Sequence, residues 1–258
     1  MKKLLLILLF APCMLFAQTP FDGTWMAKVD TAQLPKKPEV YFLDKDTYRC
    51  STCIPKIEVK ADGSDQKVTG HTYYDTVSAR IVDDNTAEIT NKKDGKTVYT
   101  ETDAVSSDGN MLSTKFSDQT GGNKEPVTGE IVYKRVGKRP AGAHAISGSW
   151  RGEKVTSVSN NGLTVTYQGT ENGLKMTAPT GQSYDAKFDG KDYPIDGDPG
   201  HTMVSLKRIG DSVEETDKRD GKVIGVSRMT VSADGKTIDV VFNDKRQGTT
   251  MTYKMEKQ

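Results

Sequence analysis

Along much of this chain apolar and polar residues change places at every step. "LTVTYQGT" from Leu163, "TMVSLKRI" from Thr202, "VIGVSRMTV" from Val223 and "TIDVVFND" from Thr237 show it best. A period of two with many β-branched residues predicts strands with one face buried. No segment carries a 3.6-residue apolar stripe of helix length. Asp-Gly pairs recur at Asp22, Asp62, Asp94, Asp108, Asp189, Asp196, Asp220 and Asp234. Glycine accepts the positive φ of tight hairpins, so these pairs mark turns between sequential strands. Short turns join antiparallel neighbours, and a meander protects its edges most completely by closing into a barrel. The expected fold class is all-β.

The pattern is written twice. "FDGTW" at Phe21 returns as "ISGSW" at Ile146, and Trp25 and Trp150 are the only tryptophans. Asp62-Gly63 falls on Asp189-Gly190 and Val77-Ser78 on Val204-Ser205. After a one-residue gap, Asp94-Gly95-Lys96 falls on Asp220-Gly221-Lys222, Asp108-Gly109 on Asp234-Gly235 and Phe116 on Phe242. A spacing near 126 residues is too long for a solenoid and suits tandem domains. The expected division is residues 1–17 as a leader, a first barrel over 18–138 and a second over 144–258. Residues 136–145, "VGKRPAGAHA", read as the linker.

Gly-x-Trp on the first strand of an eight-to-ten-stranded meander resembles the lipocalin and fatty-acid-binding (calycin) group. The chain also resembles a set of exported bacterial proteins of no assigned activity that carry tandem "DGKDYP" and "KRDGKV" signatures. The lipocalin resemblance implies that each tryptophan plugs a barrel base beneath a basic residue of the last strand. Trp25 with Arg135, and Trp150 with Lys254, are the pairs this implies.

Residues 1–17 combine a basic start, an apolar run and Ala17 before a plausible cut, the layout of a secretory signal peptide. The product is expected in the periplasm or outside the cell. Without Lys2 and Lys3, 34 basic side chains stand against 35 acidic ones. Interspersed charge of both signs argues against a nucleic-acid partner, which needs a clustered basic surface. No apolar run in the mature chain is long enough to span a bilayer.

Cys50 and Cys53 are the two cysteines of the mature chain. Pro55 and the β pattern after it deny them the helix start that redox pairs use, and an exported chain favours a local disulfide. Asp192, Asp196, Asp198 and His201 cluster in "DYPIDGDPGH" without the spacing of a calcium loop, so no metal site is assigned. Tyr73, Tyr74, Arg228 and Phe242 are candidate ligand contacts at or inside a barrel; Val240, Leu112 and Phe116 share the apolar face. No nucleophile elbow, zinc motif or phosphate loop occurs, and no cofactor is implied. Facing carboxylates across a barrel are the one catalytic arrangement that a linear reading leaves open. The expectation is a non-enzymatic exported binding protein for a small apolar or amphipathic ligand. The alternative is an envelope interaction module working through its surface and loops.

Overall fold

The structure, a computed structural model, describes residues 19–258. The expected leader and its cleavage point after Ala17 lie outside the described residues. Strand β1 (Gly23–Gln33) comes first, followed by β2 (Glu39–Leu43), β3 (Thr47–Cys50), β4 (Ile57–Lys60) and β5 (Gln66–Lys67). The first repeat ends with β6 (Thr76–Asp83), β7 (Thr86–Lys93), β8 (Lys96–Val105), β9 (Met111–Asp118) and β10 (Val127–Val136). The second opens with β11 (Gly148–Val158), a one-turn helix α1 (Asn160–Leu163), β12 (Thr164–Gly169), β13 (Gly173–Thr177) and β14 (Ser183–Lys187). It closes with β15 (Tyr193–Pro194), β16 (Met203–Ile209), β17 (Ser212–Arg219), β18 (Lys222–Val231), β19 (Thr237–Asp244) and β20 (Thr249–Lys257).

These strands form two antiparallel ten-stranded sheets, each curled into a nearly closed barrel. Barrel 1 runs in the order β4-β3-β2-β11-β10-β9-β8-β7-β6-β5, and barrel 2 in the order β14-β13-β12-β1-β20-β19-β18-β17-β16-β15. The seams are drawn together by single bridges, Asp62 to Arg80 in barrel 1 and Ser183 to Asp196 in barrel 2.

The sheets do not follow the sequence repeats at their first strands. β1 pairs with β12 and β20, while β11 pairs with β2 and β10. Each repeat therefore lends its opening strand to the other barrel. Residues 136–145 do not join two barrels: they connect β10 to its own sheet neighbour β11, and Ala145 and Ile146 are buried in the core of barrel 1. The chain passes between barrels at residues 34–38 and 159–163, where Leu34 packs against Gly152 and Val127 against Gly162.

Each barrel is most tightly packed at its tryptophan end. Trp150, Leu43, Leu112 and Ile146 are fully buried in barrel 1, as are Trp25, Leu174, Leu206 and Ile238 in barrel 2. Burying each such aliphatic side chain contributes about 1.5–3 kcal/mol. Both indole N–H groups donate 2.7 Å hydrogen bonds to the carbonyl four residues back, Phe21 for Trp25 and Ile146 for Trp150.

The basic caps also cross over. Arg135 stacks on Trp150, its guanidinium carbon 3.9 Å from the ring centre, and Lys257 lies over Trp25 at 5.3 Å. The expected pairs, Trp25 with Arg135 and Trp150 with Lys254, are both replaced. Lys254 is exposed on the outer face and bonds Asp239 at 2.5 Å. The ladder puts Arg135 opposite Trp150 and Lys257 opposite Trp25.

The glycine of Gly-x-Trp now has a reason. Gly23 and Gly148 have φ of 130° and 133°, and a Cβ would meet the capping side chain at 2.6 and 2.7 Å. Neither conformation nor space admits another residue easily.

Candidate functional site

Above the packed base, the inward faces turn polar. Tyr99, Glu101, Asp103 and Val105 point inward from β8, since Val105 pairs with buried Leu112, Asp103 with Thr114 and Glu101 with Phe116. Asp103 is fully buried and accepts a hydrogen bond from the Thr114 hydroxyl. Glu101 accepts one from Tyr99 at 2.7 Å. Burial pushes both carboxyls above the usual carboxylate range, and each hydrogen bond opposes that only in part. The charges acting on Glu101 are those of Asp103 and Glu39, both negative, which raise it further.

Five tyrosines surround the pair. Tyr41, Tyr48, Tyr74, Tyr99 and Tyr133 all lie near enough to Glu101 for its charge to raise their phenol pKa, after burial as the main cause. Tyr41 and Tyr48 stack at 6.5 Å, and Tyr74 stacks on His71 at 4.5 Å. Tyr41, Tyr99, Glu101 and Tyr133 stay half-buried although they face inward, so this half of barrel 1 remains within reach of water.

Barrel 2 repeats the theme one strand earlier. Glu215 and Asp217 point inward from β17, on the face of buried Val213. Tyr184 donates to Glu215 at 2.5 Å, and burial raises both carboxyls. Asp217 reaches the barrel mouth, where a cavity of about 300 Å³ is lined by Tyr73, Met176, Asp198, Asp217, Arg219 and Arg246.

Tyr73 comes from the first repeat, in the connection between β5 and β6. Its hydroxyl donates to Asp198 at 3.0 Å and accepts from Arg219 at 2.5 Å; the guanidinium also lies over its ring at 4.8 Å. Asp198 further accepts from the Gly200 and Thr202 backbone N–H groups at 3.0 and 2.9 Å. The Thr202 hydroxyl, these two backbone bonds and the Tyr73 hydroxyl hold its carboxyl below the usual range against the opposing effect of burial. Nearby, Gly121 approaches Gln182 and Gly122 approaches Pro199, so loops around the two open ends touch.

The other sequence candidates fall as follows. Tyr73 and Tyr74 part, Tyr74 into barrel 1 and Tyr73 over the mouth of barrel 2. Phe242 faces inward and packs across Gly225. Arg228 does not join the interior: it is exposed, opposite Glu214 on the outer face, while Gly225, Ser227 and Met229 are the inward residues of β18. Cys50 and Cys53 form a disulfide, with Cys50 buried in the core of barrel 1. Asp192 pairs with Lys218 at 2.6 Å, and His201 is exposed.

Glu101, Asp103, Glu215 and Asp217 were not singled out from sequence, where acids among lysines read as a wetted surface. Parity was the available signal: counting back by twos from Val105, or forward from Val213, lands on each of them.

Among the described residues no helix is long and apolar enough to cross a membrane. No protein-family model matches the chain. The curated protein sequences likewise contain no match to it.

Proposed function

We propose that this is an exported, non-enzymatic binding protein of lipocalin-like design that holds a small amphipathic molecule in the open half of a barrel. One observation carries the reading. Barrel 1 has a dry tryptophan base, but above it inward-facing tyrosines and Glu101 remain half-buried. A barrel filled only for stability closes such space with aliphatic side chains, because buried carboxylates without cationic partners destabilise a fold. Barrels of this size can hold one small ligand. Apolar walls from Val77, Ile89 and Phe116 suit a carbon skeleton, and the acids and phenols suit a polar end.

Native mass spectrometry of freshly purified protein tests the reading. The expected result is a co-purifying small molecule, or uptake of an added amphipathic probe by the intact chain. Empty protein that takes up no probe of any charge overturns it.

A further inference from the structure

Asn91 on β7 and Asp217 on β17 are equivalent positions, 126 residues apart, and both point into their barrels. In each, the Oδ1 atom is buried and has no hydrogen-bond partner. Asn91 is only 9% exposed, and it sits directly across the ladder from Tyr99, with Ile89 next along its strand facing Glu101. Cross-strand partners have Cβ atoms about 5 Å apart and diagonal ones about 7–8 Å, so the orphaned oxygen lies beside Tyr99 and diagonal to Glu101, with Asp103 one inward position further along β8. Orphaned buried acceptors are uncommon in native folds, because leaving one unpaired costs about 1–3 kcal/mol.

The chamber of barrel 1 is rich in acceptors and poor in cations. Among the described residues, neither Glu101 nor Asp103 lies within ion-pair distance of a Lys, Arg or His. Arg135, at the base, spends its guanidinium on the carbonyls of Gly109, Ser147 and Ala145. Glu39 accepts from Thr52 at 2.6 Å, and phenol rings fill much of the remaining wall. Carboxylates, an unpaired amide oxygen and tyrosine faces are each complementary to a positively charged N–H donor. Barrel 2 differs, since Arg219 stands beside Asp217 and already supplies positive charge.

We infer that the open half of barrel 1 is a site for an organic ammonium ion, its N–H groups donating to Asn91 Oδ1 and the Glu101 carboxylate, with Asp103 adding negative charge deeper in the barrel. The inference rests on the binding reading above and adds the charge and donor chemistry of the ligand.

Calorimetry on the mature full-length chain near pH 7 tests it with four probes of one chain length: hexylammonium, hexyltrimethylammonium, hexanoate and hexanol. Hexylammonium is expected to bind, with the other three weaker by about tenfold or more, since each loses charge or N–H donors. The conservative pair Glu101→Gln with Asp103→Asn is expected to weaken hexylammonium by about tenfold and to leave hexanol unchanged. Asn91→Leu provides a second variant that removes the orphaned acceptor; it too is expected to weaken hexylammonium while raising the unfolding midpoint. Hexanoate or hexanol binding as tightly as hexylammonium overturns the ammonium assignment while leaving the binding reading intact. Unchanged hexylammonium affinity in both variants does the same. Failure of all four probes, with empty protein in native mass spectrometry, overturns both.

Discussion

Arg135 of the first repeat lies 3.9 Å over the indole of Trp150 in the second. The stack exists because β11, which carries Trp150, has taken the place beside β10 that β1 would hold in an unexchanged barrel. Tryptophan emission can read this directly. In a Trp25→Phe background, Arg135→Ala is expected to shift the emission of Trp150. In a Trp150→Phe background the same change is expected to leave Trp25 unmoved. The opposite pattern would mean that the first strands are not exchanged.

Trp150→Ala is expected to destabilise the protein by about 3–5 kcal/mol in urea unfolding, the usual range for emptying a large aromatic site in a core. Arg135→Ala removes three hydrogen bonds to carbonyls as well as the stack. It is expected to destabilise by about 1–3 kcal/mol. A loss below about 0.5 kcal/mol for Trp150→Ala, the level of an ordinary surface change, would contradict its place at the barrel base.

The inward-facing carboxyls set a pH dependence of definite sign. Glu101, Asp103, Glu215 and Asp217 have raised pKa values in the folded protein, chiefly through burial. Between the ordinary carboxylate value near 4 and the raised value, the folded state holds more protons than the unfolded one. Stability from these groups is therefore full below that window and falls as pH rises through it. Glu101→Gln is expected to flatten the decline between about pH 5 and 8, measured as unfolding free energy in urea at each pH. A wild-type protein whose stability rises across that range, with no change in slope in the variant, would refute the raised pKa values of these acids. Asp108, held at about 2 by Ser106 and Asn110, acts in the opposite sense at much lower pH.

The Tyr73 clasp and the strand exchange both tie the barrels together. Tyr73→Phe removes the hydroxyl that bridges Asp198 and Arg219, and is expected to lower stability by about 1–3 kcal/mol. Unfolding should remain a single transition, because each barrel still depends on a strand from the other repeat. Two well-separated transitions, followed by calorimetry, would count against that dependence.

Reduction of the Cys50–Cys53 disulfide is expected to matter little. The closed loop is so short that chain entropy gives the bond about 2 kcal/mol at most. Denaturant midpoints with and without reductant measure the effect; complete unfolding on reduction would assign the bond a larger part.

Strand periodicity, Asp-Gly hairpins and the 126-residue repeat make the two-barrel plan legible in the sequence. The exchange was not readable, and the reason is physical: "FDGTW" and "ISGSW" present the same glycine, indole and inward parity, so either strand fits either barrel. What selects the arrangement lies in short connections such as residues 34–38, whose reach is a three-dimensional property. The acid chambers were hidden differently. "TETDAV" looks solvated because its charges are conspicuous, whereas the parity fixed by Val105 is quiet. Asn91 carried even less signal, since a single amide becomes informative only when its surroundings are seen to lack a donor.

The exchanged first strands also govern when the protein can fold. Barrel 1 lacks a stave until residue 158 has been synthesised, and the Trp25 to Lys257 rung of barrel 2 pairs residues 232 apart in sequence. Barrel 1 can close once β11 has emerged, whereas barrel 2 cannot close before β20 is made. Pairings of such great sequence separation make the closing of barrel 2 slow. β1 of a nascent chain is thus left without its β20 neighbour until that strand arrives.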